Sequence, residues 1–189
     1  AALLGSIGQA YQKTQVRIVD EAGNDCPAGI PGEIWIRSEA MMTGYWNNRA
    51  ASDETLAGGW MHTGDMGFLD DESFLFVADR KKDMIVSGGE NIYPREVEEV
   101  LLTHPAVEHV AVIGVPDARW GEAVKAVVSL KPGQPATAEE LLEHCRQWLA
   151  DYKKPQSVDL LDELPKSPNG KILKRELRKP YWDGRRRRI

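Results

Sequence analysis

Apolar and polar residues alternate in two early segments, "QVRIVD" (15–20) and "GEIWIRS" (32–38), and the intervening "EAGND" carries turn chemistry. Alternation with period two predicts strands with one face buried, joined by a turn. "NNRAASDETL" (47–56) predicts one short helix. "GGWMHTGDMGFLDDESFLFVADR" (58–80) predicts two strands around the acidic turn Asp70-Asp71-Glu72. Beyond about Lys82 the period changes. Val97, Val100 and Leu101 form a helical stripe that opens at Pro94 and stops before Pro105. Glu96, Glu98 and Glu99 suit the positive end of that helix's dipole. "VEHVAVIGVPD" and "EAVKAVVSLKPG" predict strands separated by a loop at Trp120-Gly121. Thr137 and Glu140 stand at capping-box spacing before "AEELLEHCRQWLA". A last strand, "SVDLL", leads to a turn-rich loop and a short basic helix. The expected fold class is α+β: a β-rich unit over residues 1–81, then a small α+β unit over residues 82–189.

The hydrophobic content of 42%, with 28% charged residues, is that of a soluble globular chain, and no apolar run reaches membrane-spanning length. A net charge of −5 argues against bulk nucleic-acid binding, and the start of the chain lacks the basic-then-apolar pattern of a signal peptide. Cys26 and Cys145 form no CxxC pair, so two free thiols in a reducing, cytoplasmic compartment are the simplest expectation. His62, His104, His109 and His144 have no zinc-ligand spacing, and no metal site is expected. The first residue is not Met and begins no element, which leads us to expect a piece of a larger protein.

Three stretches carry the chemistry: "GWMHTGD" ending at Asp65, "DRKKDMIVSGGENIYPREVE" (79–98), and "LPKSPNGKILKREL" (164–177) with Lys171. In this order and spacing they resemble the C-terminal third of the adenylate-forming superfamily, which comprises acyl-CoA synthetases, peptide-synthetase adenylation domains and luciferases. "GYWN", "DRKKDMI" and "ENIYPREVE" look most like fatty- or aromatic-acid CoA ligases.

The resemblance implies a role for each residue, and each also has a plain local reading. Asp65 would hold the ribose hydroxyls of ATP, since an ionised carboxylate can accept two hydrogen bonds from a cis-diol; locally, it is a turn Asp capping its own backbone. Arg80 would approach ribose and phosphate, where it would otherwise be a strand-end cation. Lys82 would be the hinge between large and small domains, or an ordinary solvated lysine. Ser87, Gly88 and Gly89 would border the pantetheine tunnel of coenzyme A, bare backbone permitting close approach, or form a tight turn, or both. Lys171, on a loop expected to be mobile, would offset charge as the acid attacks the α-phosphate. Trp120, Tyr152 and Lys154 would meet the CoA nucleotide by stacking and by a contact to the 3′-phosphate; a core Trp and Tyr are the alternative.

The implied substrates are a carboxylic acid, ATP with Mg²⁺, and coenzyme A. The family's phosphate loop and acid pocket lie upstream in a missing N-terminal domain, so this piece alone is expected to be inactive, and the acid cannot be read from it. An adenylation domain that loads a carrier protein, a luciferase-like oxygenase and a non-catalytic nucleotide-binding module remain rivals; a homo-oligomer is left open. Arg185 to Arg188 read as a solvated tail, and Trp35, Trp46 and Trp60 as packing residues.

Overall fold

The computed structural model describes residues 5–184, and Arg185 to Arg188 lie outside them. The chain forms two compact units, residues 1–82 and 83–189. Each is described by itself.

The first unit is one antiparallel sheet of four strands in sequence order: β1 (Thr14–Val19), β2 (Gly32–Ser38), β3 (Met61–Leu69) and β4 (Leu75–Arg80). Ile18, Ile34 and Leu75 are buried on one face, with Val16, Ile36, Leu69 and Val77 packed against them, as the alternation dictates. The other face carries polar and aromatic side chains. There Trp35 stacks on His62 with ring centroids 4.0 Å apart, and the Arg37 guanidinium lies 4.5 Å from the centre of Trp60. Helix α1 (Arg49–Thr55) is capped by Asn48, whose side chain accepts from the Ala51 N–H. Trp46 departs from its expected packing role. It is 93% exposed, in the loop between β2 and α1.

In the second unit, β5 (Ile85–Ser87) and β6 (Glu90–Ile92) form a hairpin ahead of helix α2 (Pro94–Leu102). Strands β7 (Val107–Asp117) and β8 (Gly121–Leu130) make the long antiparallel centre, joined by only three residues. Helix α3 (Ala138–Arg146) carries the expected capping box. Strand β9 (Ser157–Leu160) then pairs parallel to β8, and helix α4 (Lys174–Trp182) follows. Alternation along β7 and β8 sorts the core into two layers. Val110, Val112, Val124, Ala126 and Val128 meet α2 and α3 through Val97, Leu101, Leu141 and Cys145. Ala111, Ile113 and Val127 meet α4 through Leu177 and Tyr181. The α+β expectation is met. Cys26 and Cys145 are both free, and burial pushes the Cys145 thiol up to about 11.

Candidate functional site

The candidate residues fall into three groups, two of them in the second unit. Asp65 and Arg80 belong to the first unit and face each other across the β3–β4 pair. The strand beneath Asp65 is irregular. On β2, Glu33 and Trp35 are two residues apart, yet their β3 partners Met66 and His62 are four apart, so β3 carries two extra residues here. Such a bulge re-aims a side chain and breaks the ladder locally. The displaced backbone is bonded otherwise. The Thr63 hydroxyl donates to the Ile34 carbonyl at 2.7 Å and accepts from the Asp65 N–H at 3.1 Å. The Gly64 N–H donates to Glu33 Oε1 at 3.2 Å. Gly64 has φ +69°, the left-handed region that favours glycine. Asp65 is therefore a strand residue on a bulge rather than a turn residue. Its carboxylate lies 3.7 Å from Arg80 Nε, with both side chains well exposed. A pair that long and that wet contributes little to stability.

Behind this pair, Glu33 Oε2 accepts from the Lys81 ammonium at 2.9 Å. Burial works to raise the Glu33 carboxyl, but the Lys81 bond and charge and the Gly64 N–H outweigh it and hold the carboxyl below the ordinary range. Neither Glu33 nor Lys81 was singled out from the sequence. Glu33 sits 31 residues from Gly64 and 48 from Lys81, and no local pattern joins them. Lys82 is the exposed middle residue of a single 3-10 turn, Lys81–Asp83.

The second group gathers at the start of β8. Ser87 pairs with Gly121, and the Gly88 N–H donates to the Trp120 carbonyl at 2.9 Å. Gly88 has φ +61°, and a Cβ there would come within 2.8 Å of Trp120 Cε3, so the indole rests on bare backbone. Asp117 Oδ1 accepts from the N–H groups of Arg119 and Trp120, each at 2.8 Å, which fixes the turn. The Arg119 guanidinium stands 4.4 Å from the Trp120 ring centre. Trp120 is 43% exposed and Tyr152 47%, so neither is the core aromatic that local sequence offered as the alternative. Tyr152 and Lys154 lie in the turn before β9, which joins the same strand four residues on, at Lys125. That spacing along β8 is about 13 Å. Lys154 is tied to Asp151 at 2.5 Å.

The third group is the loop that carries Lys171. Its backbone makes hydrogen bonds of its own. The Ser167 N–H donates to the Lys171 carbonyl at 2.8 Å, the Lys171 N–H to Ser167 Oγ at 3.2 Å, and the Leu173 N–H to the Pro165 carbonyl at 2.8 Å. Prolines and Asn-Gly here shape a closed turn. Its base is also held, by Lys166 Nζ 2.7 Å from His109 Nε2 on β7. Helix α4, just beyond, is anchored by two shielded ion pairs. Lys174 reaches Glu98 at 2.8 Å, and Arg178 reaches Asp83 at 2.8 Å. Lys171 itself is exposed. Among the described residues no group of three His, Cys, Asp or Glu side chains could hold a metal, and no helix is long and apolar enough to cross a membrane.

The chain as a whole is similar to known proteins. A family model described as the AMP-binding enzyme C-terminal domain matches residues 96–171, and the AMP-binding enzyme model matches residues 1–46. A long-chain-fatty-acid–CoA ligase of Yersinia pestis is 51% identical over 174 residues, 92% of this chain and 31% of that protein. A fatty acid–[acyl-carrier-protein] ligase of Streptomyces coeruleorubidus is 39% identical over 188 residues, 100% of this chain and 36% of that one. The solved structure of an o-succinylbenzoate CoA synthetase from Bacillus subtilis, in complex with its acyl-adenylate intermediate, is similar with a TM-score of 0.86 and 41% identity, covering 92% of this chain and 35% of that one. The chain thus spans about a third of the length of the relatives it matches. It belongs to the AMP-binding enzymes and carries that family's C-terminal domain over residues 96–171.

Proposed function

We propose that this chain is the C-terminal third of an ATP-dependent carboxylic acid–CoA ligase. In the first step a carboxylate oxygen of the acid attacks the α-phosphorus of ATP. The bond to pyrophosphate breaks and an acyl-adenylate forms. In the second, the CoA thiol loses its proton to solvent, its sulfur attacks the acyl carbon, and AMP leaves. Asp65 would accept hydrogen bonds from the ribose hydroxyls, with Arg80 beside it. Lys171 would meet the carboxylate and the α-phosphate as charge builds; at ~4 Å and an effective dielectric near ~20 such a pair is worth on the order of 4 kcal/mol. A Mg²⁺ ion accompanying ATP would be held by its phosphates, since the described residues supply no metal cluster.

One observation carries this reading. Lys171 is fixed to its own unit rather than set on a loose loop, and the ties run back to Asp83, the residue after Lys82. A lysine so anchored is delivered by rotation of the whole unit about Lys82, as the two half-reactions require. The Trp120–Gly88 contact, with Tyr152 and Lys154 on the same strand edge, would then receive CoA in the second step. A proline at Lys82 blocks that rotation. Lys82→Pro is expected to preserve one half-reaction and abolish the other; equal loss of both removes the hinge.

The deciding experiment supplies ATP, Mg²⁺, CoA and a panel of acids, long-chain fatty acids first, to the full-length enzyme, and quantifies pyrophosphate, AMP and acyl-CoA. Acyl-CoA formation establishes the ligase and names its acid. The Streptomyces relative supports a second reading, in which the acyl group passes to a carrier protein. Acid-dependent pyrophosphate with product only on a holo-carrier protein would establish that alternative. Two free thiols suit a reducing, cytoplasmic setting.

A further inference from the structure

The geometry assigns Glu33 as a positioning residue for the nucleotide ribose: its carboxylate bridges Gly64 and Lys81, the two residues that flank the Asp65–Arg80 pair. This inference rests on the proposed function and extends it to a residue that would not touch ATP.

One Glu33 oxygen takes the Gly64 N–H at 3.2 Å, and the other takes the Lys81 ammonium at 2.9 Å. Gly64 precedes Asp65 on β3, and Lys81 follows Arg80 at the end of β4. A single side chain on β2 therefore fixes the backbone entering Asp65 and the residue leaving Arg80. It does so where the ladder cannot, because the two extra β3 residues cost that stretch its regular β2 pairing. The Glu33 side chain is 11% exposed, so its hydrogen bonds face little competition from water. A carboxylate that must present two oxygens to a cis-diol needs its Cα held in place, and here its own 3.7 Å partner cannot supply that hold. Glu33 can, through both neighbours at once.

The role predicts a selective defect. If Glu33 acts through Asp65, its loss weakens recognition of the ribose hydroxyls and leaves other parts of the nucleotide untouched. A substitution that merely loosened the sheet would weaken all nucleotides alike. The test measures equilibrium binding of ATP and of 2′-deoxy-ATP to the full-length enzyme by calorimetry, for wild type, Glu33→Gln, Lys81→Met and the double variant. Partners behind a metal-ligating side chain typically change affinity or activity by about 10- to 100-fold, and the lower end of that range is taken for a carboxylate that holds a diol. Glu33→Gln is expected to weaken ATP about tenfold while 2′-deoxy-ATP moves less than about twofold. Lys81→Met is expected to give part of the same selective loss, and the double variant no more than Glu33→Gln alone. Lys81 is 43% exposed, so its substitution leaves the core intact and decides the matter should Glu33→Gln fail to fold. Equal weakening of both nucleotides, an unchanged ratio in both single variants, or a wild type that binds the two alike would each overturn the assignment. Turnover with the acid panel is recorded in parallel: a ribose-selective protein that makes no adenylate refutes the ligase while leaving Glu33's role standing.

Discussion

Asp65 and Lys171 are both candidate ligand-facing charges, and the protein treats them in opposite ways. Asp65 is held from behind at several points: Thr63 takes its N–H, Glu33 takes the Gly64 N–H, and Lys81 locks Glu33 in turn. Lys171 has a fixed backbone and an exposed side chain, with the shielded pairs Lys174–Glu98 and Arg178–Asp83 set further along the chain. The difference matches the physical demands of holding and of delivery. A group that grips a bound diol gains from immobility before the ligand arrives, because the ordering cost is met during folding. On the proposed mechanism a group needed only as charge develops must come and go, so its base would be anchored to a unit that moves and its tip left long and solvated.

The largest effect separates these two treatments. Lys171→Ala removes a cation expected to act only as charge develops. Adenylation measured by pyrophosphate exchange should fall about 10²- to 10³-fold with little change in KM for ATP. Thioester formation from preformed acyl-adenylate should be spared. Asp65→Ala removes a charged hydrogen-bonding group worth about 1.5–3 kcal/mol, so KM for ATP should rise about ten- to hundredfold with a smaller fall in kcat. If both variants change kcat and KM in the same proportion, the contrast between grip and delivery collapses.

A smaller effect sharpens the comparison inside the second unit. The indole of Trp120 rests on Gly88, and a methyl group there would force the ring away. Stacking of a base on an aromatic ring is worth about 1–3 kcal/mol, and a displaced ring forfeits part of it. Gly88→Ala is therefore expected to raise KM for CoA about fivefold while KM for ATP holds. A rise in both would mean that the substitution disturbs the unit rather than a CoA surface.

Much of this was legible in the sequence, and the misses share a cause. β1 and β2 follow from alternation, β3 and β4 from the acidic turn between them, and α3 from a capping box whose two bonds both form. The β5–β6 hairpin was not read, because three-residue strands are too short to show a period. Asp65 reads locally as a turn residue; the bulge that carries it exists only through its register with β2. Glu33 looks like one more polar position in an alternating strand, since both its partners arrive from distant sequence. In the Lys171 loop the prolines and glycine also give shape, through hydrogen bonds that composition does not specify. Trp46 shows the same limit: an aromatic residue does not say what covers it.

The smallest effect concerns the face of the second unit against which α4 packs. There Asp159 joins Lys125 at 2.6 Å and Tyr181 Oη at 2.6 Å, and the Lys125 ammonium lies 5.3 Å from the Tyr181 ring centre. Burial, then the hydrogen bond to Asp159 and its charge, push the Tyr181 phenol up to about 12. Burial opposes ionisation of Asp159, but its bonds to Lys125 and Tyr181 prevail and lower its pKa. A phenol whose folded pKa exceeds its ordinary value of about 10 stabilises the fold fully below that pH. The contribution fades as pH rises toward about 12. Tyr181→Phe should cost about 1.5 kcal/mol at neutral pH, the worth of a hydrogen bond to a charged acceptor. More telling is the slope. Between about pH 10 and about pH 12 the wild type should lose stability toward the level of the Phe variant, which lacks the titrating group. Melting curves for the two proteins across that range should converge; parallel curves would mean that Tyr181 does not help hold α4, leaving Lys174 and Arg178 as its ionic anchors.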